Sequence, residues 1–354
     1  MANNKIDIGI NQTKGSFQLS GIVNGVEKNG FYSEGTSSNG KAYRKVNFGV
    51  EIEKGKTVYV SLFGSVQDNV YFSKKIKDEN GKDKTDTKTI PWADRMKCKL
   101  PEGYRLIGVN CGCVKKVDEK TGNEVNDNKM LTPFDACREM TNLKDGQSVF
   151  IRGNISYSEY QGRHMINFEP SQVSLCKPID FEAEDFKPNA LFTQPIVIQK
   201  VKKSETTPGE AVVEAKIVNY SSIEDTELYT RNAKLAKTLN KLKPYTHVKV
   251  FGDIVVESNI EEVEEDDEWG DTVNRMDRVG SPFVRKLMIT GGDKGSIDTE
   301  EYSEEKIDHA LSVINASKRA KSDYGKKDDS DEDDWGNMKN SDANEDDDMD
   351  FDLE

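Results

Sequence analysis

The chain has 354 residues and a formal net charge of −14. It contains no apolar run of about 18 residues, which excludes a membrane-spanning helix, and no basic-then-apolar stretch opens it, so we expect no export signal. Its five cysteines are an odd number in a chain too long to need disulfides. This indicates a reducing compartment, and we expect a cytoplasmic protein.

The negative charge is concentrated in two segments. Residues 328–354 contain 14 carboxylates and one lysine, and residues 261–271 contain eight carboxylates and no cation. These segments carry −13 and −8, so the rest of the chain carries +7. A mildly basic body with separate acidic segments is typical of a protein that binds a polyanion. Acidic runs also occur in chaperones and scaffolds, so that alternative stays open.

The first part of the chain has the alternating pattern of β-strands. Residues 15–26 are a strand candidate, and 43–64 predict two strands joined at a Glu-Lys-Gly-Lys turn. The lysine-rich stretch at 74–99 is too hydrophilic for a core element and predicts an inserted loop. Thr132 and Pro133 predict the start of a short helix. Two strands joined at Gly162 follow over 147–175.

The second part of the chain has the same order of elements. They are predicted as strands over 191–203 and 210–220, an amphipathic helix over 231–242, and strands over 246–258 and 283–290. A further helix with an apolar stripe is predicted over 303–320.

An internal repeat supports two copies of one module. The segments LKDGQSVFIRGNI (143–155) and LKPYTHVKVFGDI (242–254) align without gaps at an offset of 99. Each copy predicts three strands, a helix and two strands, which is the order of an OB-fold, a five-stranded barrel that binds oligonucleotides on its strand 2–3 face. Gly153 and Gly252, near the start of strand 4, predict a bend or bulge.

We therefore predict a mainly β protein with two OB-fold-like five-stranded barrels in tandem, short helices and a disordered acidic C-terminal tail. The predicted divisions are a first module over 1–180 with an insertion at about 74–130, a second module over 188–297 with an acidic loop at 259–282, a helix over 299–320, and a tail over 321–354.

Motifs for catalysis are missing from the sequence. It has no Gly-rich phosphate loop, no G-x-S-x-G motif and no His-rich metal motif. The three histidines, His164, His247 and His309, fall on separate predicted elements. We expect neither enzyme activity nor a cofactor.

Four cysteines, Cys98, Cys111, Cys113 and Cys137, could close a zinc site in principle. However, paired C-x2-C motifs are absent, and Cys-Gly-Cys within a strand would point both thiols to one face. We predict small buried thiols and no metal.

Aromatic and basic residues share the outward face of predicted strands 2 and 3 of the first module. Proteins that bind single strands combine rings that stack on bases with cations that contact phosphates. The predicted nucleic-acid-binding residues on this face are Tyr43, Lys45, Asn47, Tyr59 and Phe63. The inserted loop adds Trp92 and Arg95, the loop between strands 4 and 5 adds Tyr157, Tyr160, Arg163 and His164, and the second module adds Lys200, Lys202 and Lys203. The alternative is that Tyr59 and Phe63 pack under the insertion or against the second module.

The last residues set Phe351 and Leu353 among carboxylates, which predicts a short motif for partner proteins. The predicted partner-binding residues are Asp346, Asp347, Asp348, Asp350, Phe351, Asp352 and Leu353.

With two OB-like modules, a basic body and this tail, the chain resembles replicative single-stranded DNA-binding proteins, the bacteriophage members most closely. The resemblance implies non-catalytic protection of single-stranded DNA during replication, recombination and repair. It also implies a tail that recruits partner proteins and competes with DNA. The tail departs from the bacterial pattern because Asp352, Leu353 and Glu354 follow Phe351. An RNA-binding OB protein and an acidic-tailed scaffold or chaperone remain alternatives, and a monomer with two modules would suffice.

Overall fold

The computed structural model describes residues 8–78, 81–98, 102–160, 163–258 and 283–324. The protein is mainly β, as predicted. The described strands are β1 (Gly15–Asn24), β2 (Tyr32–Thr36), β3 (Ala42–Glu53), β4 (Lys56–Ser65), β5 (Asn69–Lys77), β6 (Asp83–Pro91), β7 (Arg105–Leu106), β8 (Val109–Gly112), β9 (Lys115–Val117), β10 (Glu124–Asn126), β11 (Lys129–Leu131), β12 (Ser148–Tyr160), β13 (Arg163–Leu175), β14 (Asn189–Lys203), β15 (Ala211–Val218), β16 (Ile223–Thr230), β17 (Thr246–Ser258) and β18 (Phe283–Asp298).

The described helices are few and mostly short. They are α1 (Pro133–Glu139), α2 (Ala233–Leu239) and α3 (Glu304–Tyr324), with 3-10 turns at Trp92–Asp94 and Met140–Asn142. The predicted start of α1 is confirmed, because Thr132 caps the helix by accepting a hydrogen bond from the Asp135 amide and proline follows it. None of the helices in the described ranges is long and apolar enough to cross a membrane.

Five strands of the first part of the chain pair in a closed ring, which we call ring 1. β1 pairs with β3 and β3 with β4, both antiparallel, and β4 pairs with β13 in parallel. The ring closes through the antiparallel pairs of β13 with β12 and of β12 with β1. The interior is apolar because alternate residues point inward: the predicted inward residues Val46, Phe48, Val50 and Ile52 are all buried.

Five later strands pair in the same order, and we call them ring 2. β14 pairs with β15 and β15 with β16, both antiparallel, while β16 pairs with β18 in parallel. Antiparallel pairs of β18 with β17 and of β17 with β14 close this ring. The order of elements and the internal repeat predicted this correspondence between the two parts of the chain, although no strand was predicted at β16.

The two glycines of the repeat occupy equivalent positions. The strand register shifts between Arg152 and Gly153 in ring 1, and between Phe251 and Gly252 in ring 2, so the predicted irregularities are confirmed. Each glycine lies opposite a phenylalanine of the first strand of its own ring, Phe17 for Gly153 and Phe192 for Gly252. A side chain does not fit there, because an added Cβ would overlap a backbone carbonyl oxygen of the neighbouring strand.

The two rings share one sheet and one core. Residues Ser16–Ser20 of β1 pair antiparallel with Asn189–Thr193 of β14, which joins ring 1 to ring 2. Buried side chains of both rings form a single hydrophobic cluster. A separate cluster lies where α3 packs on ring 2, with Ile307 and Ile314 of the helix against Val197 and Val218.

The prediction of an inserted loop is wrong for the first part of the insertion, which forms β-strands. Residues of β5 and β6 form an antiparallel hairpin, and β7 adds a third strand beside β5. We call this three-stranded sheet the arm. The hydrophilic composition of 74–99 hid it, because the buried apolar residues of the hairpin, Val70 and Phe72, precede that stretch. Later in the insertion, β8 pairs with β13, β11 pairs with β8, and β9 and β10 form a small hairpin.

Candidate nucleic-acid interface

A groove with a cavity volume of about 1400 Å³ lies between the two rings. One wall is the outward face of β3 and β4 in ring 1, the floor includes residues 164–168 of β13, and the opposite wall is residues 283–287 of β18 in ring 2. This volume exceeds the roughly 300–1,000 Å³ typical of small-molecule pockets. The size suits an extended polymer better than a compact ligand.

The ring 1 wall carries three of the predicted residues. Lys45 and Asn47 of β3 and Tyr59 of β4 all line the groove. Lys45 and Asn47 flank the buried Val46, and Tyr59 lies between two buried valines of β4, so all three side chains point outward on paired strands. Tyr59 is 55% exposed, so its ring is available to a ligand.

Two further aromatic side chains that were predicted to bind nucleic acid continue this wall toward the end of β4. Tyr43 and Phe63 stack on each other with centroids 5.6 Å apart. Phe63 lies directly opposite Lys45 in the strand register. The side chain of Phe63 is 56% exposed, which excludes the alternative that it packs under the insertion.

The ring 2 wall was not predicted from the sequence as part of a site. Phe283, Val284 and Arg285 at the start of β18 line the groove, and the Arg285 guanidinium lies 5.9 Å from the ring centroid of Phe168. The sequence shows an aromatic residue two positions before an arginine, Phe-Val-Arg, at the start of a predicted strand. That pattern is the only signal that could have pointed to this wall.

The charged residues that line the groove all have the same sign. The cations among the described lining residues are Lys45, Arg285 and Lys286, of which Lys286 is paired with Glu210 and Glu257. His164 also lines the groove, and none of the described lining residues is an aspartate or glutamate. A surface of this kind attracts a polyanion, because the summed field of several cations within a low-dielectric cleft raises the local concentration of negative charge.

Lys286 is anchored beneath this wall in a buried ionic cluster. Its ammonium lies 2.8 Å from Glu210 and 3.0 Å from Glu257, and Arg231 also contacts both carboxylates. Burial alone would raise the pKa of Glu257, but hydrogen bonds from Lys286 and Arg231 outweigh burial and lower that pKa. The cluster fixes the start of β18, and with it the ring 2 wall.

Trp92 and Arg95 attach the insertion to α1, and their binding of nucleic acid stays a prediction. Trp92 packs edge-on against Phe134 at 5.9 Å, and the Arg95 guanidinium lies 4.2 Å from the Trp92 ring centroid. Arg95 donates two hydrogen bonds to Asp135, of 2.9 and 3.1 Å. Arg44 stacks on Phe134 from ring 1 at 3.9 Å. Through these contacts both side chains link the insertion to α1.

Tyr157 is also placed away from the groove. It is only 6% exposed, and its hydroxyl donates a hydrogen bond of 3.2 Å to Gln194 of ring 2. Burial raises the pKa of this phenol. The sequence placed Tyr157 in the loop between strands 4 and 5, whereas the residue lies within β12 and is covered by ring 2. Tyr160 and Arg163 pair at the ends of β12 and β13, and their side chains lie outside what the structure describes.

The predicted lysines of ring 2 lie on another surface. Lys202 is 2.7 Å from Glu214 and 3.5 Å from Glu227, and its hydrogen bond with Glu214 raises the pKa of the lysine. Lys200 and Lys203 are exposed on the same strand. Acidic residues thus neutralise part of the ring 2 surface that corresponds to the groove wall of ring 1.

Three of the four cysteines weighed as zinc ligands are buried thiols. Cys111 lies on β8, Cys113 follows the end of that strand and Cys137 lies on α1, while Cys98 is exposed. Burial raises the pKa of Cys137 to about 12. Within the described ranges no group of three or more His, Cys, Asp or Glu side chains is arranged to hold a metal. The absence of a metal stays a prediction.

The predicted tail motif (Asp346, Asp347, Asp348, Asp350, Phe351, Asp352 and Leu353) and the acidic loop at 259–282 lie outside the described residues.

A protein-family model described as YorF matches residues 14–327, which is most of the sequence. The chain belongs to the YorF family. No curated protein matches this YorF-family chain significantly.

Two solved structures resemble the YorF-family chain weakly. They are the wild-type single-stranded DNA binding protein from Thermus aquaticus, with 12% identity and a TM-score of 0.35, and a deletion mutant of the same protein, with 13% identity and a TM-score of 0.34. Each match covers 80% of this chain and 93% or 94% of the other.

Proposed function

We propose that this protein binds single-stranded DNA, without catalysis, in the groove between the two rings. The observation that carries the proposal is the lining of that groove: exposed Tyr59 and Phe283 stand among cations, and the described lining residues include no carboxylate. Stacking on an aromatic ring contributes about 1–3 kcal/mol per base, whatever the base, and lysine and arginine neutralise phosphates.

In this proposal each ring is an OB-fold barrel. The support is the pairing order, in which the first strand meets the second and fourth, and the third runs parallel to the fifth. The groove then lies on the strand 2–3 face of the first barrel, where OB-folds bind oligonucleotides.

In this proposal the second barrel, ring 2, does not bind DNA on its own strand 2–3 face. On its own strand 2–3 face, Glu214 pairs with Lys202 of β14 and Asp225 pairs with Lys216, which leaves little positive charge for phosphates. We assign ring 2 the role of a wall that closes the groove with Phe283 and Arg285. One continuous DNA strand then contacts both rings.

A titration of a fluorescent oligo-dT with the full-length protein tests this function. We expect salt-dependent binding that Tyr59→Ala weakens. Tyr220→Ala is the matched control, because Tyr220 is an exposed tyrosine on the turn between β15 and β16, away from the groove residues. Preference for poly-U over poly-dT would support the RNA-binding alternative. No retention on either polymer would contradict the proposal and favour a scaffold or chaperone.

We also propose that the acidic tail competes with DNA for the groove and recruits replication or repair proteins through Phe351. The support is the charge: residues 328–354 carry −13, whereas the described groove lining is basic. Deletion of 328–354 is expected to tighten DNA binding mainly at low salt, because counterions screen the competition at high salt. Equal affinities of both proteins at all salt concentrations would remove competition from the proposal.

A further inference from the structure

The arm carries a second basic surface that the groove does not use. Residues that face each other across paired strands share one side of a sheet. Tyr71 pairs with Thr89 and Lys75 with Thr85, while Ser73 pairs with both Thr87 and Arg105. Tyr71, Lys75 and Arg105 therefore lie on one side of the arm, among threonine hydroxyls. We call this side the outer face.

The opposite side of the arm is occupied by packing. Phe72 is buried there, and Tyr104 lies between two lysines, with Lys88 at 4.5 Å and Lys74 at 5.8 Å from its ring centroid. The Tyr104 hydroxyl donates a hydrogen bond to Asp86. Because these contacts lie on the opposite side of the sheet, the outer face is exposed to solvent. Tyr71 is 51% exposed there.

The outer face has unneutralised positive charge. Its acidic residue, Asp83, is 2.7 Å from Lys77, so that pair cancels. In the part of the chain that the structure describes, Lys75 and Arg105 form no ion pair. Lysine, arginine and threonine side chains are all donors to phosphate oxygens, and an exposed tyrosine accepts a stacked base.

The arm begins where the ring 1 wall of the groove ends. β4 finishes at Ser65, directly beyond Phe63, and β5 starts at Asn69. Four residues span at most about 14 Å, so the base of the arm lies within that distance of the end of β4. In this connection the Asp68 carboxylate lies 3.0 Å from the Lys41 ammonium, just before β3.

We propose that the outer face of the arm is a second contact for the same DNA strand, reached after the strand passes Tyr59 and Phe63. This inference rests on the proposed function and adds a path: bases stack first in the groove and then on Tyr71, while Lys75 and Arg105 hold the phosphates. A single strand long enough to reach the arm gains contacts that a shorter one lacks.

The test compares two lengths of oligo-dT, one of about 8 nucleotides that fills the groove and one of about 30 that also reaches the arm. The variant is Tyr71→Ala with Lys75→Ala. Lys84→Ala is the control for charge, because Lys84 is exposed on the opposite side of the arm, paired with Ile76. Tyr71→Phe is the control that keeps a ring, and Tyr59→Ala reports on the groove. Circular dichroism checks that each variant is folded.

The arm variant is expected to lose about 5-fold or more in affinity for the long oligonucleotide and nothing for the short one. Lys84→Ala and Tyr71→Phe are expected to match the wild type at both lengths. If the arm variant binds the long oligonucleotide as the wild type does while Tyr59→Ala loses affinity at both lengths, the arm inference is overturned and the groove stands. An equal loss at both lengths also overturns it. If the wild type binds neither oligonucleotide, the proposed function itself fails.

Discussion

Tyr43 and Phe63 stack with their ring centroids 5.6 Å apart and their planes 26° from parallel. The pair is held by neighbouring strands of ring 1, and Phe63 remains largely exposed. A preformed aromatic pair at the end of the groove wall offers an incoming base a rigid surface at a low cost in side-chain entropy.

Phe63→Ala is therefore expected to weaken oligo-dT binding by about 1–3 kcal/mol, which is roughly 5- to 150-fold. Stability should change little because the ring buries little surface. Fluorescence anisotropy measures the affinity, and thermal unfolding measures the stability. Tyr220→Ala, which removes an exposed ring elsewhere, should leave the affinity unchanged; equal losses in both variants would show that the effect is not specific to the groove.

Glu210→Gln is expected to destabilise ring 2. The Glu210 side chain is fully buried and lies 2.8 Å from Lys286, whose side chain is only 10% exposed. Loss of one partner of a buried ion pair typically costs about 3–5 kcal/mol. We expect the lower end because Lys286 keeps Glu257 at 3.0 Å.

Denaturant unfolding measures this change, and Asp225→Asn is the control. The Asp225 carboxylate is 63% exposed, so loss of its pair with Lys216 should cost about 0–1 kcal/mol. If Glu210→Gln lowered the free energy of unfolding as little as the control does, the buried cluster would not anchor the groove wall.

Acid is expected to loosen the attachment of the insertion to α1. Burial alone would raise the pKa of Asp135, but hydrogen bonds from Arg95 and Thr132 outweigh burial and hold that pKa below its ordinary value of 3.8. A carboxyl whose pKa is lower in the folded state stabilises the fold above its unfolded pKa. That contribution is lost as the pH falls below 3.8 and through the folded value.

Trp92 reports on this attachment because it packs against Phe134 of α1. In a background with Trp269→Phe and Trp335→Phe, the Trp92 emission should shift as the pH falls below about 3.8, and Asp135→Asn should shift it already at neutral pH. An emission spectrum that Asp135→Asn leaves unchanged would show that Arg95 and Asp135 do not hold the insertion.

Gly153→Ala and Gly252→Ala are each expected to cost about 1–3 kcal/mol, because the added methyl group would overlap the carbonyl oxygen of Glu169 or Met288. Gly292→Ala is the matched control in a strand, since its nearest neighbour, the Lys249 carbonyl oxygen, would lie 3.6 Å away. Urea unfolding of the three variants measures the difference. A tolerated alanine at either glycine of the repeat would contradict the close approach.

Much of the fold was predictable because local patterns and tertiary structure agree. The alternation at residues 46–52 placed four side chains in the core, and the repeat around Gly153 and Gly252 revealed two equivalent strands before any pairing was known. The arm was missed because β6 is polar and has no buried residue, although Val70 and Phe72 of β5 are buried. Tyr104 and the lysines that pack on it supply the contacts instead.

The site was only partly predictable, because sequence alternation assigns a side chain to a face but cannot say what covers that face. Tyr59 and Tyr157 both lie on strands of ring 1, yet Tyr59 is exposed in the groove and Tyr157 is buried against ring 2. Phe283 and Arg285 were missed for the same reason, since their contribution arises only when ring 2 stands opposite ring 1.

Photocrosslinking locates the bound strand most directly. Oligo-dT that carries 5-iododeoxyuridine would be irradiated with the full-length protein, and the modified residues identified by mass spectrometry. DNA in the groove predicts adducts on Tyr59 of ring 1 and on Phe283 of ring 2 in the same sample. Efficient crosslinking confined to residues outside the groove, such as Tyr220, with Tyr59 and Phe283 unmodified, would contradict binding between the rings.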